Sequence, residues 1–182
     1  MTKLVVILSA AIMLFGCADD QGIVQLSKEK AQQTFLVAKS AITHFLGTEK
    51  IIEGERGGEI NFELRDSDFG VIGNLEFPEF SFIDQEQVAV TVLNTDDGAA
   101  VLDFTPEEMD LEKPIHLSVK FTGLQIEEGD VINFNYIDEK GNLNDVEYGR
   151  LIIDYNEGWA LVVDAKVYQF AKYGFTRRRT KF

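Results

Sequence analysis

One cysteine, two histidines, one tryptophan and three prolines are all that 182 residues contain of those types. A lone cysteine excludes an internal disulfide framework, and two histidines are too few to join it in the Cys/His clusters that hold structural zinc. Basic residues are short as well: 17 lysines and arginines stand against 31 aspartates and glutamates, for a formal net charge of −14. Phosphate backbones need a basic face, so no nucleic acid is expected as a partner. A long apolar run is also missing. Leu4–Phe15 is apolar apart from Ser9, but twelve helical residues rise only about 18 Å, against a hydrocarbon core of about 30 Å.

That short run does follow Lys3 and precede Gly16-Cys17. A charged start, a brief apolar middle and a small residue before a cut site describe a secretory signal. The stretch Leu14-Phe15-Gly16-Cys17 resembles a bacterial lipobox, in which the cysteine takes a diacylglycerol and becomes the first residue of the mature chain. The resemblance implies residues 1–16 as signal peptide, Cys17 as the lipid (palmitate) attachment site and the membrane as partner through that lipid. An ordinary signal with an incidental cysteine is the competing reading. Two or three acyl chains anchor stably, at about 0.8 kcal/mol per buried methylene. Ala18 stands where an aspartate would signal inner-membrane retention, which implies the outer membrane, facing the periplasm or the cell surface. Asp19-Asp20 resembles the acidic export tags of surface lipoproteins.

Residues 17–26 read as a linker. Ser27 then caps a segment whose apolar residues Ala31, Phe35, Ala38, Ile42 and Phe45 recur at helical spacing until Gly47. The pattern predicts one amphipathic helix over residues 27–46, with His44 on its polar face. Beyond it the period changes to two. Ile60, Phe62 and Leu64 alternate with polar residues, as do Val88, Val90 and Val92, and then Ile115, Leu117, Val119 and Phe121. Ile132, Phe134 and Tyr136 follow, and Leu151, Ile153 and Tyr155 pair with Trp159, Leu161 and Val163 across Asn156-Glu157-Gly158. Turn signals at Gly57-Gly58, Asp97-Gly98, Gly129-Asp130 and Lys140-Gly141 separate the strands. An antiparallel β-sandwich over residues 47–176 is the fold predicted, with 177–182 as a basic tail. That tail, Arg177, Arg178, Arg179 and Lys181, reads as a frayed terminus, with anionic lipid or the acidic body as other resting places.

The order of landmarks resembles a ZU5-like domain. GERGGEINF carries the Gly-Gly pair before the first strand, LEFPEFSF the proline before the next, and VLDFTPEEMDLEKPIHLSVKFTGL the Phe-x-Pro and Lys-Pro leading into an alternating strand. INFNYIDEKGNLNDV and VYQFAKYGF match the strands that follow. The resemblance spans Ile51–Phe175 and implies a sandwich that mediates contacts rather than turnover. Some relatives cleave themselves at a His-Phe-Ser motif. Here Gln169, Phe170 and Ala171 stand in the three places, so the base and the nucleophilic hydroxyl are both missing, and the chain is expected to stay in one piece.

No catalytic residue is singled out. His44 and His116 are both assigned to polar, outward positions, and acidic residues are so many that no single carboxylate pair stands out. Calcium could use Asp66-Ser67-Asp68, Asn94-Thr95-Asp96-Asp97 or Asp138-Glu139-Lys140-Gly141-Asn142, yet none follows the EF-hand series and all suit turns. No metal and no cofactor is therefore expected. Phe69, Phe77, Phe80 and Phe82 form an aromatic stretch assigned mainly to the core, with 80 and 82 alternating inward. The expected function is a lipid-anchored cell-envelope protein, not an enzyme, binding or scaffolding an envelope protein or glycan. The alternative is a small periplasmic or surface hydrolase working through a carboxylate pair.

Overall fold

The protein is described by a computed structural model over residues 33–39, 46–94, 98–107, 109 and 111–178. Twelve strands are defined there: β1 (Gln33–Phe35), β2 (Leu46–Glu53), β3 (Gly58–Asp66), β4 (Phe69–Phe77), β5 (Gln85–Asn94), β6 (Ala100–Thr105), β7 (Ile115–Thr122), β8 (Val131–Ile137), β9 (Leu143–Asp145), β10 (Tyr148–Asp154), β11 (Trp159–Val167) and β12 (Lys172–Arg178). They form two antiparallel sheets, a β-sandwich as predicted. One sheet runs β2-β5-β6-β12-β8-β9 with β1 added beside β12; the other runs β10-β11-β7-β4-β3.

The period-two pattern produces this directly. In β7 every second residue, Ile115, Leu117, Val119 and Phe121, is fully buried, while His116, Ser118 and Lys120 face outward. In β3, Ile60, Phe62 and Leu64 are buried between exposed neighbours. The β10–β11 hairpin closes where Asp154 Oδ1 accepts from the amides of Asn156 at 3.0 Å and Glu157 at 2.9 Å. Aromatic rings stitch the two inner faces together. Phe121 of β7 meets Phe175 of β12 edge-on at 5.2 Å, and Phe175 meets Phe134 of β8 at 5.1 Å. Such offset contacts add to the burial of their area.

The helix expected over residues 27–46 is corrected wherever that segment is described. Gln33–Phe35 is a strand paired antiparallel with Arg178, Arg177 and Thr176, and Val37 and Ala38 make single bridges to Ala99 and Leu124. Both sides of the segment are covered. Leu36 belongs to the main core, while Phe35 packs in a second cluster with Ala99 and Val101. A helix would present one face to the protein, whereas Phe35 and Leu36 in succession fill two opposite ones, so tertiary burial overrides the helical spacing. The space is built for it: a Cβ on Gly174 would lie 3.0 Å from the Phe35 ring.

A polar network fixes the register of this wedge. Gln33 Nε2 donates to Asn135 Oδ1 and to Thr176 Oγ1, each at 2.7 Å, and Thr176 Oγ1 donates to Asn135 Oδ1 at 2.6 Å. Asn135 Nδ2 donates onward to Asp145 Oδ1 at 2.9 Å. Thr176 and Asn135 are buried, so these bonds satisfy groups that would otherwise destabilise the interior. The tail boundary moves as well. Arg177 and Arg178 lie within β12, and Arg177 reaches toward Gln125 O at 3.4 Å and Asp130 Oδ2 at 3.8 Å. The signal, Cys17, the linker, Ser27, His44 and Arg179–Phe182 lie outside the described residues.

The registers give the sandwich two distinct ends. At one, Gln33 sits beside Arg178, where the chain from the N-terminus joins. At the other, Lys172 opposes Asp103 and Ile137, Val167 opposes Ile115, and Gly58 opposes Phe77. The loops 78–84, 106–114, 138–142 and 168–171 all leave this second end.

Candidate functional site

Three of those loops surround an open pocket of about 570 Å³. Its walls are Asp103 at the end of β6, Glu107 beyond the cis Thr105–Pro106 bond, the turn Asp138–Gly141 after β8, and Gln169–Lys172 leading into β12. Segments 101–107, 132–141 and 167–173, far apart in the sequence, thus converge on one place. Its floor is made rigid by aromatic packing. Phe170 lies 5.7 Å from Phe104, Phe104 lies 5.4 Å from Tyr173, and the Tyr173 hydroxyl donates to Gln169 O at 2.7 Å. Burial holds the Tyr173 phenol far above its ordinary pKa, and it stays neutral.

The charged groups around this floor divide into two kinds. Asp103 has its pKa raised, first by burial and then by Glu107, with the Lys172 ammonium opposing both. Asp138 has its pKa lowered, because Asn142 donates to its carboxylate from backbone and side chain, at 2.8 Å and 3.1 Å. Lys140 N donates to the same carboxylate at 3.0 Å. Asp138 is therefore spent on its turn, which is the use that Asp and Asn serve in loops. Asp103, on strand β6, has no such turn to hold and lines the pocket together with Glu107, Glu139, Lys140 and Lys172.

The other residues singled out by sequence fall elsewhere. His116 faces outward from β7, but it is not simply solvated. Its Nδ1 lies 2.5 Å from Asp164 Oδ1, and Asp164, at a φ of 57°, occupies the irregularity where β11 slips past β7. Asp164 N also donates to Ser118 Oγ at 3.1 Å. Asp66 is buried beside the Ser67 turn, and residues 95–97 of the acidic loop that starts at Asn94 lie outside the described residues. Among the described residues no three His, Cys, Asp or Glu side chains converge as metal ligands do. Of the aromatic stretch, Phe69, Phe77 and Phe82 are buried as expected, but Phe80 is 57 % exposed at a φ of 61°. The regular alternation that would have turned it inward ends with β4 at Phe77. No periodicity marks the pocket, because its walls come from segments far apart in the chain. The raised pKa of Asp103 is a product of the fold. No protein family, curated protein or solved structure matches this chain.

Proposed function

We propose that this chain is a lipid-anchored cell-envelope protein, ZU5-like, held by acyl groups on Cys17 at a bacterial outer membrane and acting by binding rather than turnover. One observation supports the binding role above the others. The pocket and its loops lie at the end of the sandwich opposite Gln33, where the chain coming from Cys17 joins the sheet. Six residue steps along β12 lead from Lys172 to Arg178, about 20 Å of extended chain. A sheet that the described chain enters at one end and a polar pocket at the other suit the display of a binding site. Its mixed lining of carboxylates, lysines, amide and aromatic suits the polar groups of an envelope protein or glycan.

A second reading is favoured by Asp103. A carboxyl that keeps its proton better than usual, in one pocket with Glu107, has the character of a general acid beside a second carboxylate. Two measurements test these readings. Cells fed a clickable palmitate analogue should label the wild-type protein and not a Cys17→Ser variant; equal labelling of both refutes the anchor. Purified protein incubated with a panel of envelope glycans should release no new reducing ends. Release that disappears with Asp103→Asn would replace the binding role by hydrolysis.

A further inference from the structure

The loop between β4 and β5 is tied down from every side and still shows two large apolar side chains to water. Phe80 N donates to Gly54 O at 2.8 Å, Gly54 N to Asp84 O at 2.9 Å, and Glu112 N to Ser81 O at 2.7 Å. Lys113 Nζ donates to Glu79 O at 2.7 Å and lies 5.5 Å from the centre of the Phe80 ring. Ser81 and Phe82 are buried, Phe82 packing edge-on against Phe77. The fit is close: a Cβ on Gly54 would lie 2.2 Å from Phe82 O. Between these anchors Phe80 is 57 % exposed and Ile83 is 72 % exposed. Phe80 and Asp84 both hold left-handed backbone, at φ of 61° and 71°, which the short Asp84 tolerates and which is unfavourable for the bulky Phe80. A strained, multiply anchored loop with its apolar residues outside has the form of a preorganised binding element.

Charge narrows the occupant. Segments 53–56, 79–86 and 112–113, which meet at this loop, carry Glu53, Glu55, Glu79, Asp84, Glu86 and Glu112, all exposed, against Arg56 and Lys113. An anionic bilayer is repelled by that ring, and the loop leaves the end of the strands opposite Gln33. A second copy docked symmetrically would set the same carboxylates against each other. We infer that Phe80 and Ile83 form an anchor for a folded protein partner whose apolar cleft is rimmed by lysine and arginine. This rests on the binding role proposed above and gives it a partner class and a surface beside the pocket.

The test uses the full chain in the cells that make it. A photoreactive phenylalanine analogue is placed at Phe80 and, as control, at Tyr155, which is exposed in the β10–β11 turn at the other end. Irradiation should give an adduct from position 80 to another protein, through a peptide rich in lysine and arginine, with no counterpart from position 155. Ile83→Asp, whose thermal midpoint should match wild type, and 0.5 M salt should each lower the yield about tenfold or more. An adduct to lipid, to a second copy or to a peptide without basic residues overturns the inference. So does an absence of any adduct specific to position 80. Repeating the irradiation with Cys17→Ser separates the two claims: an adduct that survives leaves the docking surface standing whatever becomes of the anchor.

Discussion

At Asp103 one carboxyl group feels both the core and the pocket. Burial disfavours its charged form more than Lys172 favours it, so its folded-state pKa stands above the unfolded value of 3.8. The stability it contributes is full below that unfolded value and is lost as pH rises through the raised folded one. At neutral pH the ionised group is therefore a small burden, and Asp103→Asn should relieve it. We expect the variant to melt slightly higher than wild type at pH 7, by less than about 2 °C given the partial exposure of the site. The difference should vanish at pH 3. A variant that melts lower than wild type at pH 7 would show that the Lys172 attraction dominates. Phe80 teaches the complementary lesson. Sequence alternation assigned it to the core, but alternation holds only inside a regular strand, and the chain beyond Phe77 bends through left-handed residues.

Among the elements, β1 separates what the sequence shows from what it hides. Strands with one clean apolar face were legible: β3, β7 and β8 lie where the period of two put them, and so does the turn of the β10–β11 hairpin. But β11 turns Ala160 and Val162 inward in place of Trp159, Leu161 and Val163, with Leu151 opposite Val162 and Ile153 opposite Ala160. A segment buried on both sides has no such alternation, and from Gln33 to Ala38 the helical spacing of Phe35 and Ala38 took its place. The pocket was illegible for a related reason, since pairing of Lys172 with Asp103 depends on β12 lying beside β6. Leu36 discriminates between the helix and the strand. It lies off the apolar stripe of the helix, yet it is fully buried in the observed core. Leu36→Ala should cost about 2–5 kcal/mol, as core truncations do, measured by urea unfolding of the chain. A cost below about 0.5 kcal/mol, the usual scale for surface sites, would return the segment to the helical reading.

For the whole molecule the governing fact is an excess of negative charge, −14 over 182 residues. The cations among the described residues do not neutralise it. Arg56 pairs with Glu53, Arg65 with Glu63, Lys166 with Glu147 and Arg177 with Asp130, and three of these four contacts lie at the exposed surface, where ion pairs contribute little. The carboxylates around the loop end therefore repel one another across the folded surface, and compactness brings them closer than the unfolded chain does. Added salt screens that repulsion over a Debye length that falls from about 30 Å at 0.01 M to about 10 Å at 0.1 M. The thermal midpoint should accordingly rise between 0.01 M and 0.5 M sodium chloride. Binding of a basic-rimmed partner should weaken over the same range, because there the screened interaction is attractive. The two opposite slopes distinguish long-range charge from specific pairing: a midpoint that falls with salt would mean that the few ion pairs outweigh the general repulsion, and the acidic surface would then be a structural asset rather than a standing strain relieved by a partner.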